Sequence, residues 1–239
     1  MNPACHLPYR KSKIFKNLST LPSVFKGKYF VANHQIPASV CLDFVRKQFL
    51  LKPVKTSTAN LNSFLDLEEA ARYSPSGCNH LLFTPNIKGQ TSSINHQIFQ
   101  GRFHNMQLHQ TQNDFVRSVY EGIAYNSKKQ MQTLESFVKK SSNEINFIGA
   151  GAESDLWCQI HADIFECPIH KVKDPRLASA KGAAWLAFIG LKNITADDIE
   201  NLVNIERIFH PIQQNAQVYR EGFSNFLDIN QAQNEIYCS

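Results

Sequence analysis

The sequence predicts an α/β fold in which helices cover a sheet, and three observations support this. The chain has 239 residues, 43% hydrophobic and 19% charged, a composition typical of globular proteins that bury a core. Strand patterns at 145–148 and 168–172 alternate with helical patterns. A glycine turn joins the first of these strands to a helical pattern at 155–165. Because no run of about 18 apolar residues occurs, we expect no membrane-spanning helix.

The first half of the chain predicts two strands and two helices. Residues 28–32 have the composition of a short strand, and apolar residues recur at helical spacing across 38–51. A second, shorter helical pattern covers 61–71, and a buried strand is predicted at 80–84. Residues 85–112 are rich in Gly, Asn, Gln and Ser, so we expect an irregular segment or a loose hairpin there. Loops of this length are usually functional or mobile.

The strongest periodic signal predicts one long amphipathic helix across 114–138. Its apolar stripe consists of Phe115, Val119, Ile123, Met131, Leu134 and Val138. Asn113 or Asp114 can cap its start, and Lys139-Lys140 suit the negative end of the helix dipole. Gly122 within this helix costs about 1 kcal/mol relative to Ala. We therefore predict that another backbone crosses the helix closely at Gly122.

A further helix is predicted after Asp174-Pro175. It is rich in small residues, namely Ala178, Ala180, Gly182, Ala183, Ala184 and Ala187. Small side chains let two elements approach closely, so we expect this helix to pack tightly against its neighbours.

Positive charge is concentrated at the start of the chain. The net charge is +5, and the first 42 residues contain no acid and six bases, namely Arg10, Lys11, Lys13, Lys16, Lys26 and Lys28. The remainder is near neutral. Such a segment can be a nucleic-acid-binding arm or a targeting peptide, but Pro3, Pro8 and Pro22 break the helix that a transit peptide needs. We interpret residues 1–27 as a basic, partly packed edge of the fold, favour this over a nucleic-acid-binding arm, and expect no membrane binding.

The six cysteines show neither the spacing of a disulfide framework nor that of a metal site. They are Cys5, Cys41, Cys78, Cys158, Cys167 and Cys238, and only Cys158 and Cys167 are close in sequence. We interpret them as reduced thiols, which predicts a cytoplasmic protein.

The segment INFIGAGAESDLWCQIHAD contains the most informative motif. Gly149 and Gly151 lie between a strand and a helix, where a ligand can approach the backbone and the helix start presents unpaired amides. This arrangement suits a nucleotide, although Gly-x-Gly between a strand and a helix also occurs as a plain tight turn. The segment matches neither the Walker A motif nor the complete dinucleotide-binding fingerprint.

The stretch GAGAESDLWCQIHAD, residues 149–163, resembles the adenine-binding element of the FGGY carbohydrate kinases, in particular their xylulokinase-like branch. Other parts of the chain resemble further motifs of this family in the same order: 28–33, 82–85 with Gly89, 101–103, 114–122, 173–175 and 181–184. The resemblance covers nearly the whole chain. It predicts that residues 28–239 are the C-terminal, nucleotide-binding domain of such a kinase.

The resemblance implies an actin-like ATPase, ribonuclease-H-like α/β domain, with a mixed sheet covered by helices. Such kinases transfer the γ-phosphoryl group of ATP, with Mg2+, to a sugar hydroxyl, and the branch favours a pentulose such as xylulose. The resemblance implies that Gly149, Ala150 and Gly151 line the adenosine pocket and that Ser154 faces the adenine. Ser154 is equally suited to be a simple helix N-cap.

The same resemblance assigns no catalytic or metal-binding residue to this chain. In this family the catalytic aspartate, most sugar contacts and an ATP phosphate loop precede the region matched here. Asp114, Glu121 and Asp163 are poor substitutes, because all three lie on predicted helices and are interpreted as caps or surface charges. We therefore expect the chain alone to be inactive as a kinase.

Two departures from the family pattern affect the predicted site. Ala150 replaces the middle of three glycines in the adenine turn, and a methyl group there is harmless only if the local φ is not positive. The family's Gly-Glu loop is replaced by Asn86-Ile87-Lys88-Gly89-Gln90.

Three functions remain open from sequence. The preferred one is the ATP-binding lobe of a sugar kinase, either truncated or one half of a split enzyme. The others are a non-catalytic nucleotide-binding or interaction module, and a nucleic-acid binder. A lone lobe predicts an exposed apolar face, which would bind a separate N-terminal-lobe polypeptide or cause self-association.

Overall fold

A computed structural model describes residues 3–7, 18–33, 38–49, 64–85, 90–91, 98–99 and 101–237. The bases Arg10, Lys11, Lys13 and Lys16 and the loop residues 86–89 lie outside the described residues. This range includes Gly89, one of the residues on which the family resemblance rests.

The described residues form short strands and helices, which follow one another in groups in the first half of the chain. The strands are β1 (Ala4–Leu7), β2 (Leu18–Pro22), β3 (Tyr29–Asn33), β4 (Leu82–Thr84), β5 (Gln90–Thr91), β6 (Ile98–Phe99), β7 (Arg102–His104), β8 (Ile145–Phe147), β9 (Ile169–Val172) and β10 (Ile205–Phe209). The helices are α1 (Ala38–Phe49), α2 (Phe64–Arg72), α3 (Gln112–Val138), α4 (Asp155–Phe165), α5 (Ala178–Gly190), α6 (Ile199–Leu202) and α7 (Ala216–Tyr237).

The chain divides into two units. The first comprises residues 35–129 and 213–239, and the second comprises residues 2–34 and 130–212. Helix α3 contributes residues to both.

In the first unit, β4 pairs with β7 in antiparallel fashion, and β5 pairs with β6 in the same way. For residues 85–112 the sequence predicts an irregular segment or a loose hairpin, and the β5–β6 pair within them agrees with the hairpin. The ring of Phe103 lies 4.9 Å from that of Phe83 and 5.1 Å from that of Phe115. Aromatic packing therefore joins the β4–β7 pair to α3.

Gly122 lies where β4 crosses α3, as predicted. A Cβ atom added to Gly122 would be 2.2 Å from the backbone oxygen of Phe83. No side chain fits in this gap, which explains why a residue with poor helix propensity occupies the middle of α3.

A buried polar network links α3 to α7. The Arg117 Nε donates to Glu121 at 2.8 Å, and the Tyr219 hydroxyl donates to the same carboxylate at 2.9 Å. Arg117 also donates to the Tyr219 hydroxyl at 3.0 Å. Although burial alone would lower the pKa of Arg117, the neighbouring Glu121 carboxylate raises it. No element after α5 is predicted from sequence, so α7 and its connection to α3 are found only in the structure.

The start of α3 differs slightly from the prediction. The helix begins at Gln112, so Thr111 precedes its first residue, and the Asp114 carboxylate accepts a 2.7 Å hydrogen bond from the Thr111 N–H. Asp114 thus closes the first turn from inside the helix. Burial would raise the pKa of Asp114, but hydrogen bonds from Ser74 and Thr111 outweigh burial and lower it.

The second unit contains two three-stranded sheets. In the first, β3 lies between β1 and β2, both antiparallel to it, so the described part of residues 1–27 supplies the two outer strands. Leu7 and Val31 of this sheet pack with Leu134 and Phe137 of α3. In the second sheet, β9 lies between β8, which is parallel to it, and β10, which is antiparallel. The predicted mixed sheet is therefore present.

Helix α5 does not show the close packing that its small residues predict. Within the described structure none of its residues is buried, and Leu186 and Phe188 are 41% and 47% exposed. Leu177 and Leu191, at its two ends, are also exposed. A helix that is apolar all round is normally buried, so α5 presents an apolar surface without a described partner. Within the described ranges, no helix combines the length and apolar character that crossing a bilayer requires.

Candidate nucleotide site

The candidate site lies at the carboxyl ends of the parallel strands β8 and β9. β8 leads into the turn 149–154, and β9 leads into the loop 173–177. The Gly149 N–H donates to the Pro175 carbonyl at 2.8 Å, so the two connections are in direct contact. The carboxyl edge of parallel strands is where α/β proteins commonly bind ligands.

The two glycines of the turn are needed for different reasons. Gly149 has a φ of +87°, which favours glycine, and a Cβ placed on it would meet no atom within 4 Å. The space beside Gly149 is therefore open. Gly151 is closed in, because an added Cβ would lie 2.9 Å from the indole ring of Trp157. Gly149 thus permits the approach of a ligand, whereas Gly151 permits the packing of Trp157.

Ala150 does not obstruct the turn by strain. It begins a short 3-10 turn over Ala150–Glu153, does not adopt a positive φ, and its side chain is exposed. The condition under which a methyl group is harmless to the backbone is met.

Ser154 is the N-cap of α4. Its Oγ accepts a 3.1 Å hydrogen bond from the Trp157 N–H, and α4 begins at the next residue, as the sequence predicts. This confirms the capping alternative for Ser154. Because the Oγ serves as an acceptor in this bond, the hydroxyl still has its proton to donate to a ligand.

Replacing Ser154 with Ala is expected to lower the free energy of unfolding by about 1 kcal/mol, because the first turn of α4 loses a hydrogen-bond acceptor. Replacing it with Gly should cost only a few tenths of a kcal/mol, roughly, since Gly is tolerated at the N-cap. Urea denaturation followed by the fluorescence of Trp157 and Trp185 measures both. Equal losses for the two variants would contradict the capping role.

A buried aromatic cluster packs against the turn 149–154. The His161 ring lies 4.8 Å from that of Phe147 and 5.6 Å from that of Trp157. Burial lowers the pKa of His161 to about 3, so the ring is neutral at physiological pH and donates its Nδ1 proton to the Trp157 carbonyl at 2.8 Å. His161 is therefore a structural residue that fixes Trp157.

Acidic side chains beside the turn are paired with bases. Asp155 accepts from Lys171 at 3.0 Å and from Arg207 at 2.9 Å. Burial would lower the pKa of Lys171, but hydrogen bonds to Asp155 and Glu206 outweigh burial and raise it. Glu153 is paired with Arg176 at 2.5 Å. These pairs contain three acids and three bases, Asp155, Glu206 and Glu153 with Lys171, Arg207 and Arg176, so their charges balance beside the turn.

The three carboxylates considered as poor catalytic substitutes are buried, so the surface-charge alternative is wrong for all of them. Asp114, Glu121 and Asp163 are 2%, 2% and 3% exposed. Asp114 and Glu121 belong to the first unit, with the partners already described. Asp163, in the second unit, accepts from the Gln159 side chain and from the Ile212 N–H, both at 2.8 Å. Each carboxylate therefore has a structural partner.

Residues 173–177 are not among the site residues predicted from sequence. The signal was available, since β8 and β9 are predicted as successive strands of an α/β unit and their carboxyl ends meet at one edge. The pairing of β8 with β9 therefore places Pro175 and Arg176 beside the turn.

Known proteins similar to this chain are sugar kinases. The family model "FGGY family of carbohydrate kinases, C-terminal domain" matches residues 5–191. A xylulose kinase from Staphylococcus epidermidis is 32% identical over 165 residues, which are 68% of this chain and 33% of that protein. A xylulose kinase from Bacillus subtilis is 27% identical over 218 residues, which are 86% of this chain and 42% of that protein.

Solved structures of the same kind share the fold. Xylulose kinase from Rhodospirillum rubrum superimposes with a TM-score of 0.81 at 22% identity, covering 100% of this chain and 46% of that one. Glycerol kinase from Plasmodium falciparum, solved with ADP, gives a TM-score of 0.67 at 16% identity, covering 84% of this chain and 38% of that one. These kinases have the actin-like ATPase fold, so the predicted fold class is confirmed.

The chain spans between a third and a half of the length of the relatives it matches. Together with the family match over most of its residues, the strand–turn–helix arrangement at 145–165 shows that this chain belongs to the FGGY family of carbohydrate kinases, as a C-terminal domain.

Proposed function

We propose that this chain is the ATP-binding lobe of a sugar kinase and that the turn 149–154 binds the adenosine part of ATP. The observation that carries the proposal is Gly149, whose positive φ and open surroundings leave room for a ligand at the carboxyl edge of β8 and β9. Gly149, Ala150 and Gly151 would contact the nucleoside through the backbone, and the Ser154 hydroxyl would donate to an acceptor on the adenine.

The proposed reaction is transfer of the γ-phosphoryl group of ATP to a sugar hydroxyl, with a pentulose such as xylulose as the favoured acceptor. The sugar oxygen attacks the γ-phosphorus, the bond to the bridging oxygen breaks, ADP leaves, and the hydroxyl proton passes to a base. Among the described residues no group of three or more His, Cys, Asp or Glu could hold a metal ion. Mg2+ usually binds to ATP phosphates and only one or two carboxylates, so we assign it no described residue.

A second lobe is part of this proposal. The relatives are two to three times longer than the portion matched here, and α5 exposes an apolar surface. We propose that an N-terminal lobe supplies the base, the phosphate contacts and most sugar contacts, either within a longer chain or as a separate polypeptide, and that the C-terminal domain self-associates when this lobe is absent. The described cysteines Cys5, Cys41, Cys78, Cys158 and Cys167 are thiols and not disulfides, and we propose a cytoplasmic location.

The test is titration calorimetry of the full chain with Mg-ATP, adenosine and inorganic tripolyphosphate. We expect Mg-ATP and adenosine to bind and tripolyphosphate to bind weakly or not at all, because the turn contacts the nucleoside. Absence of heat with millimolar Mg-ATP would refute nucleotide binding. In a coupled assay with xylulose, the chain alone should produce no ADP, and robust sugar-dependent turnover would contradict the need for a second lobe.

The alternative is a non-catalytic nucleotide-binding or interaction module, which is consistent with the lack of an assigned catalytic residue in this chain. Mixing the chain with the N-terminal lobe of a related xylulose kinase separates the two functions. Sugar-dependent ADP formation by the mixture would support the kinase lobe, and nucleotide binding without turnover would support the module.

A further inference from the structure

Arg176 lies on the loop after β9 and is hydrogen-bonded to Glu153, a residue of the turn 149–154. Its Nε and one terminal nitrogen donate to the same Glu153 carboxylate oxygen, at 3.1 and 2.5 Å. Two bonds from one guanidinium restrict its rotation. The Arg176 side chain nevertheless remains 67% exposed, so its planar face is accessible.

The backbone places this guanidinium at the rim of the proposed site. Arg176 directly follows Pro175, whose carbonyl accepts the 2.8 Å hydrogen bond from Gly149. Glu153, which holds the guanidinium, belongs to the turn itself. The backbone of Arg176 therefore follows a residue bonded to Gly149, and its guanidinium is bonded to Glu153 of the same turn.

A second arginine of the same unit, Arg207, is also paired with an acid but has an aromatic ring against its face. Arg207 is held by Asp155 at 2.9 Å, and its guanidinium carbon lies 4.7 Å from the centre of the Phe209 ring. The face of Arg207 is therefore occupied by an aromatic ring. In the part of the chain that the structure describes, no aromatic ring covers the face of Arg176.

We infer that the guanidinium of Arg176 stacks on the purine base of the bound nucleotide. The inference rests on the proposed nucleotide site at the turn. A guanidinium is planar, delocalised and weakly hydrated, so it stacks on aromatic faces more readily than an ammonium group does. Because Glu153 largely offsets the charge of Arg176, we expect this side chain to stack on the base and not to bind phosphate.

The experiment compares adenosine and Mg-ATP binding to the full chain and to three variants, Arg176→Ala, Arg176→Lys and Arg207→Ala, by titration calorimetry. We expect Arg176→Ala to weaken both ligands by the same factor, about threefold or more. Arg176→Lys should weaken both as well, because it keeps the charge but not the plane. Arg207→Ala is the matched control, an exposed and clamped arginine whose face is already covered, and should bind both ligands like the wild type.

Each outcome bears on the inference. If Arg176→Ala binds adenosine like the wild type, the stacking is refuted. If it loses affinity for Mg-ATP alone, Arg176 contacts phosphate and the inference is wrong. If Arg176→Lys binds adenosine like the wild type, charge rather than the planar face is what matters, which also overturns it. If the wild type binds neither ligand, the proposed function itself fails, a result distinct from the other three.

Discussion

Replacing Glu121 with Gln is expected to lower the free energy of unfolding by about 3–5 kcal/mol, the usual cost of removing one partner of a buried ion pair. The Glu121 carboxylate accepts from Arg117 and Tyr219, and also from the Gly77 N–H at 3.2 Å and the Cys78 thiol at 3.1 Å. The side chains of Arg117 and Glu121 are only 8% and 3% exposed. A neutral amide leaves the Arg117 charge buried without its counterion.

The matched control is Glu68→Gln in α2. Glu68 and Arg72 also form a pair four residues apart on a helix, but Arg72 is 47% exposed. Because water can solvate the Arg72 charge that remains, we expect a loss of only about 0.3–0.5 kcal/mol, as for other helix pairs of this spacing. Urea denaturation monitored by far-UV circular dichroism measures both variants. If Glu121→Gln costs no more than Glu68→Gln, the network does not hold α7 to α3.

Replacing Gly122 with Ala is expected to lower the free energy of unfolding by about 1–3 kcal/mol, despite the better helix propensity of Ala. The added Cβ would lie 2.2 Å from the Phe83 oxygen and 3.0 Å from its carbonyl carbon. Both are backbone atoms of β4, so the clash cannot be relieved by rotating a side chain. Either β4 or α3 has to move.

Gly182→Ala in α5 is expected to change the free energy of unfolding in the opposite direction. Gly182 also lies within a helix, but a Cβ placed on it meets no atom within 4 Å. This variant is expected to raise the free energy of unfolding by about 0.5–1 kcal/mol through helix propensity alone. Stabilisation by Gly122→Ala would show that β4 does not cross α3 as closely as described.

Local signals explain the parts of the fold that could be predicted from sequence. The bounds of α4, Asp155–Phe165, follow from a serine N-cap and the apolar spacing after it, both encoded within a few residues. Gly122 indicated a close crossing because glycine destabilises a helix interior, and a missing side chain there is favoured where another backbone lies close. The glycine turn before α4 was recognised from the same few residues.

Long-range contacts explain what could not be predicted. Arg117 and Tyr219 are 102 residues apart, so neither local periodicity nor charge could reveal their hydrogen bond. The burial of Asp114, Glu121 and Asp163 likewise depends on packing that a helical pattern does not contain. For the candidate site, the turn was predicted, but the loop with Pro175 and Arg176 required the pairing of β8 with β9.

Nucleotide binding at the turn 149–154 is tested most directly by comparing Gly149→Ala with Gly27→Ala. Both glycines have a positive φ, +87° and +78°, and a Cβ on either would meet no atom within 4 Å, so neither substitution introduces a steric clash. The ψ of Gly149 is 177°, a combination that is strained for any other residue, so folding of both variants is checked before binding is compared. Only Gly149 belongs to the turn; Gly27 is exposed, between β2 and β3.

The measurement is calorimetric titration of both variants with Mg-ATP, at a temperature where circular dichroism shows both to be folded. The proposed site predicts that Gly149→Ala loses most of its affinity for Mg-ATP while Gly27→Ala binds like the wild type. Equal affinity of the two variants would contradict binding of the nucleotide at this turn.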